Sequence, residues 1–143
     1  MKIVRSGSVV WQGGMKDGKG AISTESGALK DYPYGFASRF EGQKGSNPEE
    51  LIGAAHSACF TMALSKILGE ANLTAEEMNT TAAVSLEKLE DGFAITTIHL
   101  TLKAKIPGAD QATFEQLAAK AKAGCPVSKV LKAANITLDA QLV

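Results

Sequence analysis

The sequence predicts an α+β domain in which antiparallel sheets surround one long buried helix. Three observations carry this: β-rich segments broken by glycine turns before residue 40 and again over 80–106, a capped apolar helix over 48–68, and two helical stretches ahead of a closing strand. The chain has 143 residues and 45% of them are hydrophobic, enough for a single domain over 1–143 whose core needs no disulfide or metal staple.

The β-forming runs 3–11, 19–24 and 35–40 alternate with the turn pairs Gly13-Gly14, Asp17-Gly18 and Ser26-Gly27, which reads as an antiparallel meander. Asn47 is placed to cap a helix, with Pro48 at its first position and Glu49 and Glu50 on the positive end of the dipole. Over 51–68 only Ser57, Ser65 and Lys66 are clearly hydrophilic. A helix apolar round most of its circumference is expected to be buried, often at a subunit interface. Gly69 and Asn72 loosen its end, and 74–77 predicts a short capped turn.

Strand character returns over 80–89, where alternation is clean as far as Leu86. Asp91-Gly92 supplies a hairpin turn, and 93–106 is rich in Ile, Thr and Leu. Pro107-Gly108 ends this second hairpin. Residues 110–123 read as an amphipathic helix with Phe114, Leu117, Ala118 and Ala121 on one face, stopped by Gly124. A short helix over 126–133 and a strand over 136–142 complete the chain.

Composition excludes several functions. Fifteen Lys+Arg balance fifteen Asp+Glu, so there is no cationic surplus for a nucleic-acid partner. The apolar stretch 52–64 is interrupted by His56, Ser57, Cys59 and Thr61 and falls short of the ~20 residues that span a bilayer, so no membrane partner is expected. The N-terminal Met1-Lys2-Ile3-Val4-Arg5-Ser6 has no apolar run after it, which argues against a secretory signal and for the cytoplasm. No dinucleotide, P-loop, nucleophile-elbow or zincin motif is present, so no cofactor is read.

Attention falls on the two cysteines, which a reducing cytoplasm keeps as thiols unless they do redox chemistry or bind metal. Cys59 lies inside the apolar helix with Ala55, Met62 and Ala63 at helical spacing, the setting of an inert core thiol as well as of a reactive one. Such a mid-helix thiolate gets no help from a helix terminus and needs a cation. Arg39, alone in an uncharged stretch at the end of a predicted strand, is the candidate, although a surface arginine on an edge strand would look the same. Cys125 follows Gly124 and precedes Pro126, which places it at the N-cap of the short helix, where a thiolate is stabilised. The cysteines are 66 positions apart, so only the fold can join them. A disulfide between them would close a loop worth about 4 kcal/mol.

Arg39-Phe40-Glu41-Gly42, the run from Gly45-Ser46-Asn47-Pro48-Glu49-Glu50 through His56-Ser57-Ala58-Cys59-Phe60, and Gly124-Cys125-Pro126-Val127-Ser128 resemble the signature segments of the OsmC/Ohr family of bacterial thiol peroxidases. Trp11 and Ser23-Thr24-Glu25-Ser26-Gly27 fit its OsmC branch. The resemblance runs end to end. It implies an intertwined homodimer and reduction of organic hydroperoxides by a dithiol reductant such as a lipoyl protein, in oxidative and osmotic stress defence. By position it implies Cys59 as peroxidatic thiol, Cys125 as resolving thiol, and Arg39 and Glu49 as the activating pair. Phe36, Phe40, Leu51, Phe60 and Met62 are then candidates for an apolar lining.

Glu49 and Cys59 are ten residues apart, about 15 Å along one straight helix at 1.5 Å per residue, so they cannot touch. Either the arginine reaches between them or the glutamate comes from the partner subunit, and a composite site in the dimer is favoured. Two other readings use the same residues. His56 and Cys59, spaced i, i+3, with Cys125 and His99 would make a Cys₂His₂ zinc set, although only one pair is local. A dimeric module that binds an apolar ligand and keeps its cysteines for structure is the other.

Overall fold

The computed structural model describes residues 1–143 and groups them into two units, Met1–Leu51 and Ile52–Val143. In the first, strands β1 (Gly7–Gln12), β2 (Lys19–Thr24) and β3 (Tyr32–Tyr34) form an antiparallel sheet in the order β1-β2-β3. The meander is as expected, but β1 begins at Gly7 rather than at residue 3. Trp11 pairs with Gly20 and Gly20 with Tyr34, so the two aromatic rings lean together over the glycine with centroids 5.4 Å apart. A Cβ at Gly20 would sit 2.1 Å from the Tyr34 ring, so only glycine fits beneath the pair.

The strand expected over 35–40 does not form. A single helical turn, α1 (Phe36–Phe40), replaces it because Ser38 turns the chain: its Oγ accepts the Gly35 N–H at 3.0 Å and donates to the Ser46 carbonyl at 2.9 Å. Arg39 therefore stands on a helix and not at a strand end. Helix α2 (Pro48–Glu70) starts as the sequence requires, the Glu50 N–H donating to Asn47 Oδ1 at 2.8 Å.

The second unit holds β4 (Glu77–Leu89), β5 (Gly92–Lys105), α3 (Gln111–Gly124), α4 (Pro126–Val130) and β6 (Asn135–Leu142), with the sheet order β4-β5-β6. No capped turn forms over 74–77, since β4 takes up Glu77. The lost alternation near Leu86 is a register shift between Ser85 and Leu86. β6 runs parallel to β5, which corrects the expectation of purely antiparallel sheets. Two helices separate these strands, and such a crossover brings the chain back in the direction in which it left.

β5 is the central strand and buries Ile98, Leu100, Leu102 and Ala104 at alternate positions. Leu100, Leu102 and Ala104 form one core with Phe60, Leu64 and Leu68 of α2 and Phe114, Ala118 and Ala121 of α3. Each large side chain in it stabilises the fold by roughly 1.5–3 kcal/mol.

α2 is not buried all round. Gly53, His56, Phe60, Leu64 and Leu68 make one buried stripe, while Ala54, Ala55, Ala58 and Met62 are exposed. At 23 residues it is longer than the stretch read from sequence and, by length and composition alone, could cross a membrane; a leucine and phenylalanine stripe packed into the core is what a core helix shows. Near its middle, His56 Nε2 lies 2.7 Å from Ser128 Oγ of α4, both residues being buried, and Nδ1 has no partner. Burial holds the His56 pKa below its ordinary 6.5.

Two outcomes follow for stability. A Cβ on Gly53 would stand 2.9 Å from the Ala82 carbonyl of β4, whereas one on Gly69 meets nothing within 4 Å. In urea melts Gly53→Ala is expected to lose about 1–3 kcal/mol to overpacking, and Gly69→Ala to gain up to about 1 kcal/mol from helix propensity. Because folding lowers the His56 pKa, the unfolded chain binds the proton more readily. Stability contributed by the neutral ring is complete above pH 6.5 and drains away as pH falls from there toward the lower folded value. Urea midpoints at pH 7.5, 6.5 and 5.5 should show this decline, and His56→Gln should flatten it.

Candidate active site

α3 ends because Cys125 leaves the helical conformation, at φ −59° and ψ 126°, while its N–H still donates to the Ala121 carbonyl at 2.9 Å. Pro126 then opens α4. This break lets a thiol that is 0% exposed face across to α2, where Cys125 is hydrogen-bonded to the half-buried Cys59. Both are free thiols. Cys59 has a second partner: the backbone N–H of Val127 donates to its sulfur. Pro126 has no N–H, so the Val127 amide is the first free donor beyond Cys125.

The sequence placed Cys125 at an N-cap and denied Cys59 any helix-terminal help. The structure reverses the benefit. Cys125 occupies the N-cap position of α4 but makes no side-chain capping bond, while the amide at the start of α4 serves Cys59. Even so, the Cys59 pKa is pushed above its ordinary value, first by burial and then by the Cys125 hydrogen bond and charge, with the Val127 amide opposing them. None of these neighbours is a cation.

The cation lies in the other unit. Arg39 on α1 and Glu49 in the first turn of α2 form a forked ion pair: Nε donates to Oε1 and Oε2 at 3.2 Å each, and Nη2 to Oε1 at 2.7 Å. The guanidinium carbon is 5.2 Å from the centre of the Phe40 ring, which leans on Phe36 at 4.9 Å. Arg39 is thus oriented on two sides.

Other candidates are dispersed. Phe60 is wholly inside the core and unavailable as a lining residue, and Met62 is 76% exposed. His99 lies on the exposed face of β5 with Nδ1 2.6 Å from Thr137 Oγ1, and no group of three or more metal-ligating side chains forms, so the zinc set of His56, Cys59, Cys125 and His99 is not assembled. The sequence reading missed Val127 and the His56–Ser128 contact. A signal for both was present: proline removes the amide before Val127, and His56 precedes Cys59 by the same three positions by which Ser128 follows Cys125.

The chain that builds this pair of thiols has relatives of known name. Residues 41–140 match the family model described as OsmC-like protein. The chain is 60% identical over 142 residues to Peroxiredoxin OsmC of Escherichia coli (strain K12), covering 99% of each. It is 32% identical over 100 residues to Organic hydroperoxide resistance protein OhrA of Bacillus subtilis (strain 168), covering 68% of each. The crystal structure of OhrB of Bacillus subtilis superposes with a TM-score of 0.68 at 30% identity, over 96% of this chain and 98% of that one. With most of its length matched by the family model and nearly all of it aligned to a relative at 60% identity, the chain belongs to the OsmC family.

Proposed function

We propose that the chain is a thiol-dependent peroxidase that reduces organic hydroperoxides to alcohols, with Cys59 as the peroxidatic and Cys125 as the resolving thiol. One observation carries this reading: the fold brings two free cysteines 66 positions apart in sequence close enough for Cys125 to act on the titration of Cys59. Similarity to proteins named peroxiredoxin and organic hydroperoxide resistance protein supports it.

The Cys59 thiolate attacks the distal oxygen of the hydroperoxide, and the O–O bond breaks as the alkoxide leaves and takes up a proton to become the alcohol. Sulfur is oxidised to the sulfenic acid. The Cys125 sulfur displaces the hydroxyl as water and the disulfide forms; a dithiol, of which a lipoyl protein is one kind, reduces it. We place this cycle in the cytoplasm, where thiol reductants are at hand.

A thiol whose own neighbours raise its pKa needs positive charge from elsewhere. Arg39 supplies it in this reading, with Glu49 fixing the guanidinium so that it stabilises both the thiolate and the leaving oxygen. Since Glu49 and Cys59 are about 15 Å apart along one helix, the pair acts on the thiol of the second subunit of a homodimer. The exposed Ala54, Ala55, Ala58 and Met62 of α2, with Val9 and Val10 of β1, give such a dimer apolar surface to bury. The family match over 41–140 crosses residue 51, so the whole chain is read as one OsmC-like domain.

With a dithiol donor, the wild type should consume cumene hydroperoxide well ahead of hydrogen peroxide, and Cys59→Ser should be inactive. Cys125→Ser should complete one turnover and stop with a sulfenic acid that dimedone traps. A Cys59→Ser protein as active as the wild type overturns the reading. The shared site is tested by refolding equal amounts of Cys59→Ser and Arg39→Met chains together: each is inactive alone, and the mixture should recover about a quarter of wild-type activity, because about half of its dimers are mixed and one of the two equivalent sites in each of those is complete. Recovery of nothing shows that each site is built within one chain.

A further inference from the structure

α4 is five residues long, and the residue it buries is a serine. Val130 is 77% exposed, so the helix has no fully buried apolar side chain to anchor it. Val127 packs against the core only half-buried, and the directional link is the 2.7 Å contact from Ser128 Oγ to His56 Nε2. His56 lies one turn before Cys59 on α2, and Ser128 one turn after Cys125, so this contact and the thiol pair are two parallel links between the same two segments.

A histidine with no exposed surface is an expensive way to fill a core position, more so with Nδ1 unpartnered. A leucine would pack without that cost but would not fix where α4 sits, since apolar contact is non-directional and a hydrogen bond is directional. An orphaned acceptor is tolerated better than an orphaned N–H. The tautomer that fits is therefore the one in which Nε2–H donates to Ser128 Oγ and Nδ1 carries the lone pair.

We propose that His56 and Ser128 are positioning residues for the thiol pair: their hydrogen bond holds the start of α4 against α2 so that Cys125 remains within bonding reach of Cys59. Disulfide geometry is demanding, with Cβ atoms about 3.8 Å apart, and a five-residue helix free to shift would meet it only part of the time. By keeping the segment in place before reaction, the bond raises the effective concentration of one sulfur at the other. It also keeps the Val127 amide on Cys59, since Val127 and Ser128 are adjacent. The consequence for turnover rests on the peroxidase reading; the positioning itself does not.

The test is the thiol–disulfide equilibrium of the full-length protein in glutathione buffers, in which two protein thiols and one glutathione disulfide give the protein disulfide and two glutathiones. No peroxide takes part, so inactivity toward hydroperoxides would count against the peroxidase reading alone. Ser128→Ala, the mildest change, should lower the effective concentration of the pair about five- to tenfold, the worth of one hydrogen bond. His56→Leu should fall as far, His56→Gln, whose amide can still donate, should stay within about twofold of wild type, and His56→Leu with Ser128→Ala should be no worse than either alone. A merely structural contact would lower the melting temperature and leave this equilibrium in place. An unchanged Ser128→Ala, additive losses in the double variant, or no intramolecular disulfide in the wild type overturns the proposal. Ser128→Ala decides the matter even if His56→Leu fails to fold.

Discussion

The chemistry of this chain depends on one junction, where α3 stops, the chain turns at Cys125-Pro126, and α4 begins against the middle of α2. An uninterrupted α3 would carry Cys125 round with the helix. The extended ψ of 126° at Cys125, with a proline that cannot continue the α3 ladder, instead leaves the thiol facing α2 and directs the Val127 amide at the same sulfur. Cys59 thereby meets a second thiol, from Cys125, and a hydrogen-bond donor, from Val127, within three consecutive residues. The rest of the second unit holds that junction still: Phe114, Ala118 and Ala121 fix α3 in the core, and Phe60, Leu64 and Leu68 fix α2.

Much of this was legible because local physics decided it. Asn47-Pro48-Glu49-Glu50 caps α2 as written, Asp110 caps α3 through the Thr113 N–H at 2.8 Å, and Gly124-Cys125-Pro126 marks the helix break. The failures occurred where a side chain or the sheet overrode the pattern. Ser38 converts a strand-like 35–40 into a helical turn through bonds to Gly35 and Ser46, the latter eight residues away. The direction of β6 is a property of the whole α3–α4 crossover and cannot be seen in 136–142.

The site was legible to a similar depth. Two cysteines, an isolated arginine and an acid in a helix first turn could be singled out, and Arg39 does hold Glu49 in a forked pair. What went unread was the donor to Cys59: Pro126 marks Val127 as the first free amide beyond Cys125, but only the fold sets that amide against the Cys59 sulfur. The His56–Ser128 contact was hidden for another reason: each residue looks ordinary until the fold sets two i, i+3 steps side by side.

Cys59 sits where the buried stripe of α2 meets its exposed face, His56 and Phe60 on one side and Ala55, Ala58 and Met62 on the other. Covering that face with a second copy would remove more water from a thiol whose pKa burial already raises. Dimerisation by apolar contact alone would therefore make it a weaker nucleophile at neutral pH. In the proposed dimer the surface that excludes water also brings a guanidinium held by Glu49, and in the drier site its attraction for the thiolate is stronger than in water. Burial and charge then have to arrive together. On this dimer proposal, a lone chain would keep a thiol whose pKa is raised, and only the assembled pair would combine an apolar surround suited to an alkyl hydroperoxide with the cation that favours the thiolate.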